Sequence, residues 1–61
     1  MERIESNPKV MFGKPVIKGT RIPVDIILEK LAYGHSVANI LVDYPTINSE
    51  DISACLLYYI V

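Results

Sequence analysis

The sequence predicts a mainly α domain, with a short extended arm over residues 1–22 and three short helices over residues 23–60. Three observations predict it. Apolar residues recur at helical spacing in three separate stretches of the last two thirds. The first third is broken by Pro8, Gly13, Pro15 and Gly19. Helix-boundary residues, Pro23, Gly34, Ser36, Pro45 and Asn48, fall at the ends of the periodic stretches.

In the arm, β-branched pairs stand between the breakers. Lys14-Pro15-Val16-Ile17-Lys18-Gly19-Thr20-Arg21-Ile22-Pro23 reads as two short extended segments, Val16-Ile17 and Arg21-Ile22, around a Lys18-Gly19-Thr20 turn. Gly19 supplies the positive φ that such a turn demands. Two strands this short lack independent stability and must lean on a helix or a second chain. Gly13, Pro15, Gly19, Thr20 and Pro23 are therefore the residues expected to shape the arm.

The first helix is expected over Pro23–Tyr33. Proline suits its first position, because the missing N–H would have no partner there. Val24, Ile27, Leu28 and Leu31 form one apolar face, with Asp25, Glu29 and Lys30 off it. Gly34 supplies the C-terminal cap. The second helix is expected over Val37–Asp43, capped by Ser36 and ended by Pro45, with Val37, Ile40, Leu41 and Tyr44 inward. The third is expected over Ser49–Ile60. Asn48 caps it, Asp51 favours its dipole, and Ile47 and Ile52 occupy the hydrophobic-staple positions. Its inward face is Ile52, Cys55, Leu56, Tyr59 and Ile60. Helices two and three, joined by Tyr44-Pro45-Thr46-Ile47-Asn48, fit a helix-turn-helix pair, although three helices of this size also make simple structural domains.

Sixty-one residues make one domain at most. A chain this short buries only about 60% of its unfolded surface, so a staple, a metal or a partner is the usual supplement. One cysteine excludes an internal disulfide, and one histidine with one cysteine fall short of a structural zinc set. No metal or cofactor is expected, which leaves oligomerisation. The composition agrees, with 51% hydrophobic residues and a mean hydropathy of +0.31. Ile26, Val42, Leu57, Tyr58 and Val61 are apolar yet off the assigned inward faces, and a homodimer would cover them. Residues 1–10 lack the apolar core of a signal peptide, and no run of about 18 apolar residues exists to span a membrane. With a lone thiol, a cytoplasmic location is the expectation.

Charge is uneven. Residues 1–24 carry Arg3, Lys9, Lys14, Lys18 and Arg21 against Glu2 and Glu5, a balance of +3. Residues 25–61 carry Lys30 against Asp25, Glu29, Asp43, Glu50 and Asp51, a balance of −4. A polyanion would meet the arm, through Lys14, Lys18 and Arg21; ordinary surface scatter is the alternative. Arg21 either reads a phosphate or a base edge, or pairs with Asp25 or an acid of the third helix.

An enzyme is not expected. His35 and Ser36 are adjacent and Asp43 is near in sequence, but adjacency is not triad geometry. Cys55 lies on an apolar helical face, where an inert thiol is the ordinary outcome. Glu50 and Asp51 are explained by the helix dipole. The glycines are scattered, with no phosphate loop and no sign of a small-molecule substrate.

One string is sharper than the rest. Gly13-Lys14-Pro15-Val16-Ile17-Lys18-Gly19-Thr20-Arg21-Ile22-Pro23-Val24 continues into Ile27-Leu28, Leu31-Ala32-Tyr33-Gly34-His35-Ser36, Ile40-Leu41-Val42-Asp43-Tyr44-Pro45 and Glu50-Asp51-Ile52-Ser53-Ala54-Cys55-Leu56. From about Ile4 to Tyr59 the chain resembles a bacterial and archaeal family catalogued as domain of unknown function four hundred and thirty-three. That family is similar to VapB-type antitoxins, often encoded beside a PIN-like toxin nuclease, with a fold of the homeodomain-like helix-turn-helix class. The resemblance implies an antitoxin that neutralises the nuclease and represses its own operon by binding operator DNA. The alternative is a homo-oligomeric interaction module without DNA contact. Two departures stand out. Family members often continue the third helix into a charged tail, whereas this sequence stops at Tyr58-Tyr59-Ile60-Val61, and the expected recognition helix carries Glu50 and Asp51 but no Lys or Arg.

Overall fold

In the computed structural model, which describes residues 3–60 and the side chains of all of these but 59 and 60, the arm is built from two short strands. Strand β1 is Ile4–Glu5 and strand β2 is Val16–Ile17. They pair antiparallel, with Ile4 opposite Ile17 and Glu5 opposite Val16. This differs from the expectation of Val16-Ile17 and Arg21-Ile22 as the two extended segments: the partner of β2 is Ile4-Glu5. The return segment keeps only an isolated bridge between Val16 and Pro23 and a 3.0 Å bond from the Ile17 N–H to the Ile22 carbonyl.

Three helices follow: α1 Val24–Ala32, α2 Val37–Asp43 and α3 Ser49–Ile60. Pro23 stands one position earlier than expected. With ψ 143 it is the extended N-cap of α1 rather than its first helical residue. The Val24 N–H, which has no acceptor inside the helix, donates to the Pro15 carbonyl at 3.0 Å and ties α1 to the arm. Tyr33 caps the other end. Gly34 adopts φ 89 and donates to the Leu31 carbonyl, while the His35 N–H donates to the Lys30 carbonyl. This is a Schellman turn, and its left-handed position favours glycine.

Helix α2 starts on a capping box. Ser36 accepts from the Asn39 N–H at 3.1 Å, and the Asn39 side chain accepts from the Ser36 N–H. Helix α3 repeats the device, with the Asp51 N–H donating to Asn48 Oδ1 and the Asn48 N–H donating to Asp51 Oδ2, both at 3.0 Å. The staple pair Ile47 and Ile52 is buried.

One apolar core unites these parts. Ile4 and Ile17 of the arm, Val24 and Ile27 of α1, Ile40 of α2, and Ile47, Ile52, Ala54 and Cys55 at and within α3 form it. Leu28, Leu31, Leu41, Tyr44 and Tyr58 pack around its edge. The arm is thus part of the core and not an appendage. Two assigned inward residues sit outside: Val37 is 40% exposed and Leu56 47%. Helices of seven and twelve residues crossing a small core present only one or two turns to it, so the flanks of each apolar stripe are left in water. Lys30 links α1 to the end of α2, pairing with Asp43 at 3.6 Å and lying 5.8 Å from the Tyr44 ring centre. Among the described residues no helix is long and apolar enough to cross a membrane.

Candidate nucleic-acid interface

The turn that carries Lys18 and Arg21 is over-determined by short-range bonds. The Thr20 N–H donates to the Ile17 carbonyl at 3.0 Å, closing a β-turn whose third residue, Gly19, has φ 79. Lys18 is not among the positive-φ residues, so the turn is of type II, which requires that sign at its third position. The Thr20 hydroxyl donates to the Ile17 carbonyl at 2.7 Å and accepts from the Ile22 N–H at 3.0 Å. Glu5 Oε2 of β1 accepts the Gly19 N–H at 3.1 Å, and the carbonyl of Arg3, just before β1, accepts the Lys18 N–H at 2.8 Å. Lys18 and Arg21 are exposed on this frame, and neither has an ion-pair partner among the described residues.

The other cations are committed differently from the sequence expectation. Asp25 pairs with Lys14 at 3.7 Å, not with Arg21. The bond from the Val24 N–H to the Pro15 carbonyl explains this, because it lays residue 14 beside the start of α1. Both partners are more than half exposed, so the pair is weak and Lys14 stays available. The acids of α3 belong to Arg3, which donates to Glu50 Oε2 at 2.9 Å and Asp51 Oδ1 at 3.0 Å. Asp51 therefore caps its own helix with one oxygen and holds the arm with the other. Arg3 and Glu5 are the contributors that sequence reasoning missed. Arg3 lies 48 residues from Asp51, and no local pattern signals such a pairing.

Of the expected apolar interface, Ile26, Val42 and Leu57 are exposed, Val42 to 79%. Tyr58 is half-buried and packs against the core, so it does not join them. Val61 lies outside the described residues. The outward residues of α3, Ser49, Glu50, Ser53, Leu56 and Leu57, include no cation. Cys55 is fully buried; desolvation, with Asp51 adding to it, pushes its thiol from 9.0 up to about 11. It is a packing residue, since reactivity belongs to the thiolate.

These features define a small three-helix domain with a β arm folded into its core and a cation-bearing turn at the arm's end. Residues 4–59 match the family described as Protein of unknown function (DUF433), and the chain belongs to that family. A crystal structure of a DUF433 member protein from Anabaena variabilis superposes with a TM-score of 0.88 at 35% identity, covering 93% of this chain and 56% of that one. "Uncharacterized protein y4eO" of Sinorhizobium fredii is 37% identical over 57 residues, which are 93% of this chain and 26% of that protein. An "Uncharacterized protein" of Archaeoglobus fulgidus is 76% identical over 25 residues, 41% of this chain and 69% of that one. The chain thus spans about a quarter of the rhizobial relative and little more than half of the cyanobacterial one.

Proposed function

We propose that this domain is an antitoxin-type DNA-binding module that holds a PIN-like nuclease inactive through its helical surface and touches operator DNA through its arm. The observation that carries the DNA half is the Lys18–Arg21 turn, a rigid projection bearing two exposed cations that lack an ion-pair partner among the described residues. Phosphate contacts of this kind supply most DNA affinity. A helix-turn-helix would send the start of α3 into the major groove. Here that start is acidic and clamped by Arg3, which favours the arm as the contact. Two arms in a two-fold dimer would match a symmetric operator.

The exposed apolar and acidic side of α3 favours the protein half. The same observation supports the second reading, an interaction module without DNA contact. The test is a salt-dependent titration on the DNA upstream of its own gene, with wild type beside Lys18→Ala/Arg21→Ala. The double variant should bind more weakly, and its salt slope should fall by about one unit for each phosphate contact removed. Equal binding refutes the arm contact. Absence of binding by wild type leaves the second reading, which co-expression with the neighbouring gene product and size-exclusion of the pair then examines.

A further inference from the structure

The loop between β1 and β2 presents a residue that neither the core nor the Lys18–Arg21 turn uses. Phe12 is 100% exposed. Its backbone is left-handed, φ 58 and ψ 32, and Met11 before it has φ 50. Non-glycine residues avoid this region, and two in succession persist only where the surroundings impose it. Here a set of short bonds does so. The Lys9 N–H donates to Asn7 Oδ1 at 2.9 Å and the Val10 N–H to the Asn7 carbonyl at 2.8 Å. The Gly13 N–H then donates to the Val10 carbonyl and the Lys14 N–H to the Met11 carbonyl, both at 3.1 Å. The loop is pre-organised to hold an aromatic ring in water.

The charges around it select the occupant. From Ser6 to Val24 the chain carries Lys9, Lys14, Lys18 and Arg21 and no Asp or Glu. Lys9 and Lys14 stand three and two positions from Phe12 along the same loop, and among the described residues their only counter-charge is the long Lys14–Asp25 pair. An exposed aromatic between cations matches the way proteins stack on bases while lysines hold the phosphates. Apolar wedges also enter duplex steps in this manner.

We propose that Phe12 is a base-stacking residue, inserted at a base step of the DNA that the arm contacts. This rests on the reading that the arm meets nucleic acid. The sequence contains no tryptophan, so Phe12→Trp places a single indole at the site. The probes are the duplex from upstream of the gene and one strand of it alone. The duplex should quench the emission of that indole. Phe12→Ala should weaken duplex binding by roughly five- to 150-fold, the range of base–aromatic stacking, with the salt slope unchanged because no charge is lost. Its melting temperature should not fall, since the ring makes no core contact.

Quenching by the single strand alone would keep the stacking role, move it to unpaired bases, and count against the operator reading. Duplex binding with unchanged indole emission and an unaffected Phe12→Ala would overturn the inference while leaving the Lys18–Arg21 contact standing. Failure of both probes to bind would overturn it too. So would dissociation by Phe12→Ala of a complex with the neighbouring gene product when DNA affinity is unaltered, because the ring would then serve a protein.

Discussion

Substituting Gly19 isolates the energy of one backbone angle. The residue has φ 79, and nothing lies within 4 Å of where a Cβ would stand. A side chain there meets no clash, so the penalty is conformational alone. Holding an L-residue left-handed costs roughly 1–2 kcal/mol, offset by about 0.4–1 kcal/mol because alanine narrows the unfolded ensemble. Gly19→Ala should therefore destabilise by about 1 kcal/mol. For a 61-residue chain, with unfolding entropy of about 2.1 cal/mol/K per residue, that lowers Tm by roughly 8 °C. Gly19→Val, β-branched and worse in this region, should lose about 2 kcal/mol and roughly 15 °C, enough to leave a marginal domain part-unfolded. Gly19→Asn should lose less than alanine, because asparagine tolerates the left-handed region. Thermal melts of the three variants by circular dichroism give the ordering. An alanine variant that melts with wild type, or an asparagine variant that melts below alanine, refutes the argument from φ.

Cys55 should react slowly with a thiol reagent at pH 8 in the native protein and rapidly in denaturant, and fast native labelling would contradict its burial. Its raised folded value means that the native state binds the proton more tightly. That contribution is therefore fully present below about pH 9 and is lost as pH rises towards 11, which a series of melts across this window would show. The exposed Ile26, Val42 and Leu57 should be covered by a second protomer. Light scattering at micromolar concentration should give twice the chain mass, and Leu57→Glu should halve it; a monomeric wild type would sink the dimer.

The helices were legible to within one residue at each end because their determinants are local. Ser36 with Asn39 and Asn48 with Asp51 act within one turn, and the apolar period repeats every three or four positions. The positive φ at Gly19 was legible for the same reason. What escaped the sequence was non-local. Strand β1 is two residues long and carries no period, and it exists because Ile4 meets Ile17 across a loop that ends in the core. Lys18, Arg21 and Lys30 are all nearer to Asp25 along the chain than Lys14 is, and only the docking of Pro15 on Val24 decides for Lys14. Arg3 found Glu50 and Asp51 because the packed core carries the arm to the start of α3. Periodicity and capping act over a few residues and can be read from spacing. Pairing and charge partnership depend on distances in space, which are set only once Ile4, Ile17, Ile27, Ile40 and Ile52 close on one another.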